Sequence, residues 1–257
     1  MLSSLISGSG APDLTSFFSF DYIVLFLPIC LLIYALTPQK ARRYTLLALS
    51  FGFYWLVSGK LIICNGAELG QAVYDLPVTE KLLSTMNYDI VIGSIHNLPN
   101  VQDFYYMDFS DESIDYYALL DDYFNWELKL AQWGGFDTLA HLTYPLRYIV
   151  GNYGKPVDMT RYSEIIDEIL VTLIRSGKSL EINTAGLRQP IGVTSPDESI
   201  VRRYKQLGGE MITVGSDAHF AEHLGAGIEQ GYELALRCGF DKIALYQNRT
   251  PTLVPIE

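Results

Sequence analysis

The chain has 257 residues and a formal net charge of -11, with 29 acidic against 18 basic residues. Such an acidic balance excludes nucleic acid as a partner, and the length suits one large domain or two small ones. Three cysteines, Cys30, Cys64 and Cys238, are odd in number and form no CxxC pair, which excludes a disulfide framework.

Residues 1–59 read as a segment of their own. They carry only Asp13 and Asp21 as acids, so the acidity belongs to the rest of the chain. Two apolar runs, YIVLFLPICLLIYAL (22–36) and YTLLALSFGFYWLV (44–57), flank the basic loop TPQKARR. A bilayer core needs roughly 20 apolar residues in a helix, and each run nears that length with its flanks. The pattern predicts an apolar helical hairpin over residues 17–57 in contact with a membrane. The other reading is an apolar helical pair packed on the soluble domain or in an oligomer. The basic residues follow the first run, which argues against a cleaved signal peptide. Lys40, Arg42 and Arg43 favour a cytoplasmic loop, so two spans would leave the following domain outside the cytoplasm and one span would leave it inside. Membrane association is expected if the segment inserts, and a cytoplasmic location otherwise.

Residues 60–257 read as alternating strands and helices. KLIICNGAELG is a short apolar run ending in a turn, consistent with a strand. LPVTEKLLSTM reads as a helix with Thr79 as N-cap and Leu82, Leu83 and Met86 on one face. YDIVIGSIH is a second strand. The long amphipathic helix of SDESIDYYALLDDYFNWELKLAQWG follows, stopped by Gly134. DTLAHLTYP is a third strand. DMTRYSEIIDEILVTLIRSG is a helix with Ile165, Ile166, Ile169, Leu170 and Leu173 as its buried stripe. SLEINTAG, PDESIVRRYKQLGG, MITVGSDAH, GIEQGYELALRCG and KIALYQNRTP continue the alternation as strand, helix, strand, helix and a final strand. Such repeats imply an α/β fold with a parallel sheet whose chemistry lies at the carboxyl ends of the strands.

Polar residues gather where those strands are expected to end. Glu68 follows IICNGA, His96 follows DIVIGSI and His141 follows DTLA. Glu181, Asn183 and Arg188 follow KSL, and Asp217 and His219 follow MITVGS. In a parallel barrel these side chains would converge. Mixed nitrogen and carboxylate ligands suit zinc, manganese or iron, and a bound cation lowers the pKa of its water to about 7. The competing reading makes each histidine a polar strand cap satisfied by backbone groups. HFAEH spaces His219 and His223 by four residues, but His223 reads as a surface residue or one behind the ligands. The aromatic, acidic stretch from Asn100 to Glu127 reads as a helix with a tyrosine-rich core side and a solvated acidic side, and its other reading is a cation-binding face. Asn248 begins an NRT sequon, uninformative without a secretory context.

Two resemblances add to this. The stretch FSFDYIVLFLPICLLIYALTPQKARRYTLLALSFGFYW resembles the extreme N-terminus of membrane-bound O-acyltransferases of the alginate-acetylation type. It covers residues 17–56 and implies membrane insertion without acyltransferase chemistry. The motifs NGAELGQ, NYDIVIGSIHNL, DFYYMDFS, DTLAHLTYPLRY, EINTAGLR and YKQLGGEMITVGSDAH, in that order, resemble histidinol phosphatases of the PHP family. That resemblance spans residues 60–257 and implies a distorted (β/α)7 barrel with a di- or trinuclear metal site. It also implies hydrolysis of the phosphomonoester L-histidinol phosphate, late in histidine biosynthesis. By position, Glu68 is similar to the bridging carboxylate, His96 and His141 to ligands of one metal, and Asp217 and His219 to the late Asp-x-His pair. Arg188 is similar to a phosphate-binding arginine. Arg147 is a second candidate, with a surface ion pair as its other reading.

Family members begin with a His-x-His strand followed by an Asp-His strand, and here no histidine precedes His96. The expectation is therefore an incomplete barrel of the PHP type, preceded by the hairpin and arising by fusion or truncation. Glu68, His96 and His141 would still form one metal position, with Glu68 and Asp217 acting on the activated water. Asp217 and His219 would hold a second, weaker cation. The expected function is an impaired phosphomonoesterase of reduced nuclearity; the alternative is a non-catalytic, membrane-attached pseudoenzyme.

Overall fold

The computed structural model describes residues 27–46, 48–49 and 64–256, and the chain separates into two compact units, 1–63 and 64–257. In the first unit, helix α1 (Leu27–Leu36) is apolar around its whole circumference, and Leu31, Leu32 and Leu36 are exposed. Its 10 residues span about 15 Å, half the roughly 30 Å of a bilayer core. Among the described residues no helix is long and apolar enough to cross a membrane. The described residues thus show no membrane-crossing hairpin: α1 is followed by a turn and by helical residues 42–46 and 48–49, and the remaining flanks of both runs lie outside the described residues.

The second unit is built on five parallel strands in the order β1-β2-β3-β4-β5. These are β1 (Gly66–Gly70), β2 (Ile90–Ser94), β3 (Thr138–Leu139), β4 (Ser179–Asn183) and β5 (Ile212–Gly215). Each crosses to the next through a helix: α2 (Leu76–Leu83), α3 (Tyr116–Trp133), α4 (Ser163–Ser176) and α5 (Glu198–Gln206), with α6 (Ile228–Arg237) after β5. The α/β parallel architecture agrees with the sequence reading. Side chains alternate with the strand period of two. The registers Glu68↔Ile92↔Thr138↔Ser179 and Glu181↔Thr213 put Glu68, Ser94, Thr138, Ser179, Glu181, Asn183 and Thr213 on one face. Across it Thr138 and Thr213 share a hydrogen bond of 2.8 Å. The opposite face carries Val91, Leu139, Leu180, Ile182 and Ile212, all fully buried in the core together with Ile169, Leu170 and Leu173 of α4. Each such side chain stabilises the fold by about 1.5–3 kcal/mol.

Three local expectations change. Helix α2 starts at Leu76, because the Asp75 side chain accepts the Val78 N–H at 3.2 Å and Pro77 suits the first turn. Thr79 is instead buried inside it, its hydroxyl donating to the Ala72 carbonyl at 2.8 Å. Leu82 and Met86, expected on an apolar face, are exposed. The final run does not join the parallel sheet. β6 (Lys242–Gln247) pairs antiparallel with β7 (Thr250–Pro255), and Asn248 and Arg249 supply the positive-φ turn between them.

This hairpin braces the amino ends of β2 and β3. The Tyr246 hydroxyl donates to the Asp137 carbonyl and shares a 2.7 Å hydrogen bond with Ser179. Arg249 pairs with Asp137 at 2.5 Å and donates to the Gly135 carbonyl at 2.8 Å. Asp137 also accepts the Val91 N–H at 2.7 Å. The carboxyl ends of the strands, opposite this brace, remain available for chemistry.

Candidate metal centre

Glu68 sits in the middle of β1, two residues before the strand end at which the sequence reading put it. His96 lies two residues beyond β2 and His141 two beyond β3. Glu68 Oε1 is 3.1 Å from His96 Nε2 and 3.1 Å from His141 Nε2, and the two nitrogens are 3.1 Å from each other. Donor atoms around a tetrahedral zinc at ~2.0–2.1 Å stand roughly 3.3 Å apart, so the triangle has the dimensions of three ligands to one ion. Its chemistry fits as well. Three lone pairs turned toward one point repel unless a cation or shared protons lie between them. Among the described residues this is the cluster able to hold a metal ion.

The backbone is shaped to bring these atoms together. Gly70 lets His96 approach, since a Cβ there would stand 3.1 Å from His96 Nδ1. His141 has φ 22°, an uncommon conformation outside glycine. Its N–H donates to Glu181 Oε2 at 3.0 Å, which anchors the turn. Burial alone would raise the Glu68 carboxyl, but the hydrogen bonds and charge of His141 and His96 outweigh it and hold Glu68 far below the usual carboxylate range. Burial pushes Glu181 up, against the pull of His141 and Asn183. His141 Nδ1 is enclosed and has no partner among the described residues.

Asp217 and His219 stand outside the triangle. Asp217 has φ 49° and turns one carboxylate oxygen to Arg147 Nη1 at 3.0 Å. Burial raises its pKa, but the Arg147 charge and then that of His141 bring it below the ordinary value. His219 is exposed, with Nδ1 3.5 Å from Asp217 Oδ1. His223 lies at the end of a short 3₁₀ turn (Ala221–His223) rather than on the helix that HFAEH spacing would need. Arg147 forms an ion pair, but a buried one: 4% of it is exposed, and it opens a π-helical stretch (Arg147–Asn152), a form that favours functional positions. Its second Nη donates to Asn183 Oδ1 at 2.7 Å. Arg188 Nη2 donates to the Asp217 carbonyl at 2.7 Å, while its Nη1 is enclosed without a partner among the described residues.

The sequence reading placed Glu181 and Asn183 among the converging strand-end residues without assigning either a task; both help to position the site, one holding His141 and the other Arg147. Their spacing with Ser179, polar at every second position of an otherwise apolar strand, was the available signal. Asp103 and Tyr144 were also passed over. The Tyr144 ring lies 4.9 Å from His96 and 5.0 Å from His141. Its hydroxyl donates to Asp103 Oδ1 at 2.9 Å. Beside the site, the loops after β3 and β4 enclose a cavity of about 430 Å³ lined by Leu146, Arg147, Ile166, Val193 and Ser195 among others.

The PHP domain family model matches residues 40–185, more than half of the chain. That match begins inside the stretch that resembles acyltransferases. A protein named probable histidinol-phosphatase from Thermotoga maritima is 35% identical over 188 residues, covering 69% of this chain and 78% of the relative. The histidinol-phosphatase of Lactococcus lactis is 28% identical over 195 residues, covering 73% and 69%. The crystal structure of the Lactococcus lactis histidinol phosphate phosphatase, complexed with zinc, L-histidinol and phosphate, superposes with a TM-score of 0.64. It is 23% identical and covers 82% of this chain and 77% of that one. A structure described as a putative histidinol phosphatase from Listeria monocytogenes gives 0.55 at 19% identity, covering 76% and 77%. These two likenesses concern the fold. Taken with the match over residues 40–185 and the Thermotoga relative, they leave one assignment: the chain belongs to the PHP domain family.

Proposed function

We propose that this chain is a metal-dependent phosphomonoesterase acting on L-histidinol phosphate. The observation that carries the reading is the 3.1 Å triangle of Glu68, His96 and His141, set beside two arginines. In this reading the triangle holds one divalent cation, zinc or manganese or iron, and Asp217 with His219 offers a weaker second position. The cation, when bound, supplies Lewis acidity and a water with its pKa lowered to about 7.

The remaining chemistry belongs to the chain. Arg188 Nη1, enclosed and without a partner among the described residues, is available to bind a phosphate oxygen, and a planar guanidinium suits paired phosphate oxygens. Arg147, held by Asp217 and Asn183, adds positive charge on the same side. Asp217 stays a carboxylate at neutral pH, so it accepts hydrogen bonds and orients water instead of donating a proton. Glu68, also ionised, holds both imidazoles with their Nε2 atoms inward.

The test is phosphate release from L-histidinol phosphate by purified full-length chain loaded with zinc or manganese. Release that stops on chelation and returns on adding metal supports the reading. Fully loaded protein that releases no phosphate overturns it.

A further inference from the structure

The cavity of about 430 Å³ has no task in the phosphatase reading. It lies between the loops after β3 and β4 and the amino ends of α4 and α5, and none of Glu68, His96, His141, Arg188 and Asp217 lines it. Its volume falls within the roughly 300–1,000 Å³ that small molecules occupy. Leu146, Met159, Ile166, Ile191, Val193 and Ile200 form its apolar walls.

The polar groups between them decide what fits. The hydroxyls of Thr160, Ser163, Thr194 and Ser199 are already spent, donating to Asp158, the Thr160 carbonyl, the Pro196 carbonyl and Asp197. Thr143 and Ser195 differ. Both are buried, and their hydroxyls bond to each other at 2.9 Å. One such bond uses one proton, so the pair keeps a second O–H with no acceptor among the described residues. Arg147, which also lines the cavity, has Nε enclosed without a partner among the described residues. Buried donors are costly to leave unpaired, so this lining is short of an acceptor.

Its charges are balanced. Asp167 accepts Arg203 Nε at 2.8 Å and Nη2 at 2.5 Å, Asp197 takes the N–H groups of Ser199 and Ile200, and Arg147 is paired with Asp217. A carboxylate entering here would bring a charge that nothing offsets, and an ammonium would meet two carboxylates already engaged. The lining therefore fits a neutral molecule with an apolar body and a carbonyl-type oxygen.

We propose that this cavity is a binding site, separate from the metal centre, for a small uncharged apolar molecule carrying one carbonyl-type acceptor. The acceptor is anchored at the Thr143–Ser195 hydroxyl pair, and the apolar body lies against Ile166, Ile191 and Ile200.

The probe is acetophenone. Ethylbenzene, which lacks the oxygen, and benzoate, which bears a charge, are the comparisons. Each is titrated into the full chain carrying ¹³C-labelled isoleucine methyl groups and followed by NMR. Acetophenone is expected to give saturable shifts at Ile166, Ile191 and Ile200, and none at Ile90 and Ile243 on β2 and β6. It should bind about fivefold or more tighter than either comparison, as one net hydrogen bond contributes. No saturable shift, or shifts centred on other isoleucines, overturns the site. Ethylbenzene or benzoate binding as tightly as acetophenone overturns the ligand class. Thr143→Val combined with Ser195→Ala should bring acetophenone down to the affinity of ethylbenzene, and a preference that persists overturns the anchor. Should the double variant not fold, the wild-type comparison decides by itself. Phosphate release enters none of these readouts, so failure of the phosphatase reading leaves them intact.

Discussion

Glu127 is a fully buried acid on α3, and neither of its carboxylate oxygens has a hydrogen-bond partner among the described residues. Burial pushes its pKa from 4.5 to about 8, and nearby Tyr123 only partly opposes this. The folded pKa therefore lies above the unfolded one. Between those two values the native chain holds a proton that the unfolded chain has released, so stability falls as pH rises. The contribution is intact below pH 4.5 and fully lost above about pH 8. A window of roughly 3.5 pH units at about 1.4 kcal/mol each amounts to about 5 kcal/mol. Glu127→Gln does not titrate and removes that slope. Its amide adds a buried donor without a partner, which costs about 1–3 kcal/mol at every pH. The variant should thus be less stable than wild type near pH 4.5 and more stable by about 2–4 kcal/mol near pH 8.5. Urea unfolding at several pH values, compared through the midpoint at constant m, measures the crossing. Parallel stability curves for the two proteins would refute the argument, since they would mean that Glu127 is solvated or already paired.

Three further outcomes are expected. Glu68→Gln removes the one negative ligand of the triangle and should lower zinc affinity by more than the roughly 10–100-fold typical of losing an outer-sphere partner; unchanged stoichiometry and affinity by metal analysis and competition titration would contradict the ligand assignment. Gly215→Ala would put a Cβ 2.3 Å from Glu181 Oε1, pushing that carboxylate off the His141 N–H, so zinc affinity should fall about 10–100-fold while circular dichroism stays native; wild-type affinity would mean that Glu181 does not position His141. Arg249→Ala leaves the buried Asp137 carboxylate without its cation, and a loss of about 2–4 kcal/mol in denaturant unfolding is expected; a change below about 0.5 kcal/mol would show that the hairpin brace carries little of the stability.

Much of the fold could be read from residue order because it rests on local periodicity. Helix α4 buries Ile166, Ile169, Leu170 and Leu173, as its apolar spacing requires, and α3 stops at Gly134 in the left-handed conformation. The parallel alternation of strands and helices was legible for the same reason. Failures came where a local signal had rivals. Thr79 looked like a cap, but Asp75 with Pro77 provided a better one four residues earlier. The last strand looked like one more parallel member, but the Asn248–Arg249 turn returned it on itself as β6 and β7. The membrane hairpin was read from hydropathy, a basic loop and a resemblance; the described residues show no helix long enough to span, and the rest of both runs lies outside them.

The amino-acid order by itself determined which side chains of each strand share a face, and so put carboxylates and imidazoles at one end of a sheet. Only the tertiary structure decided which of them meet. Three donors drawn from β1 and from the turns after β2 and β3 come within 3.1 Å of each other, whereas Asp217 is drawn away to a buried arginine. The reason is physical. Spacing along a chain limits direction, but distances of a few tenths of an ångström depend on register, on the φ of His141 and Asp217, and on charges from distant segments competing for the same carboxylate.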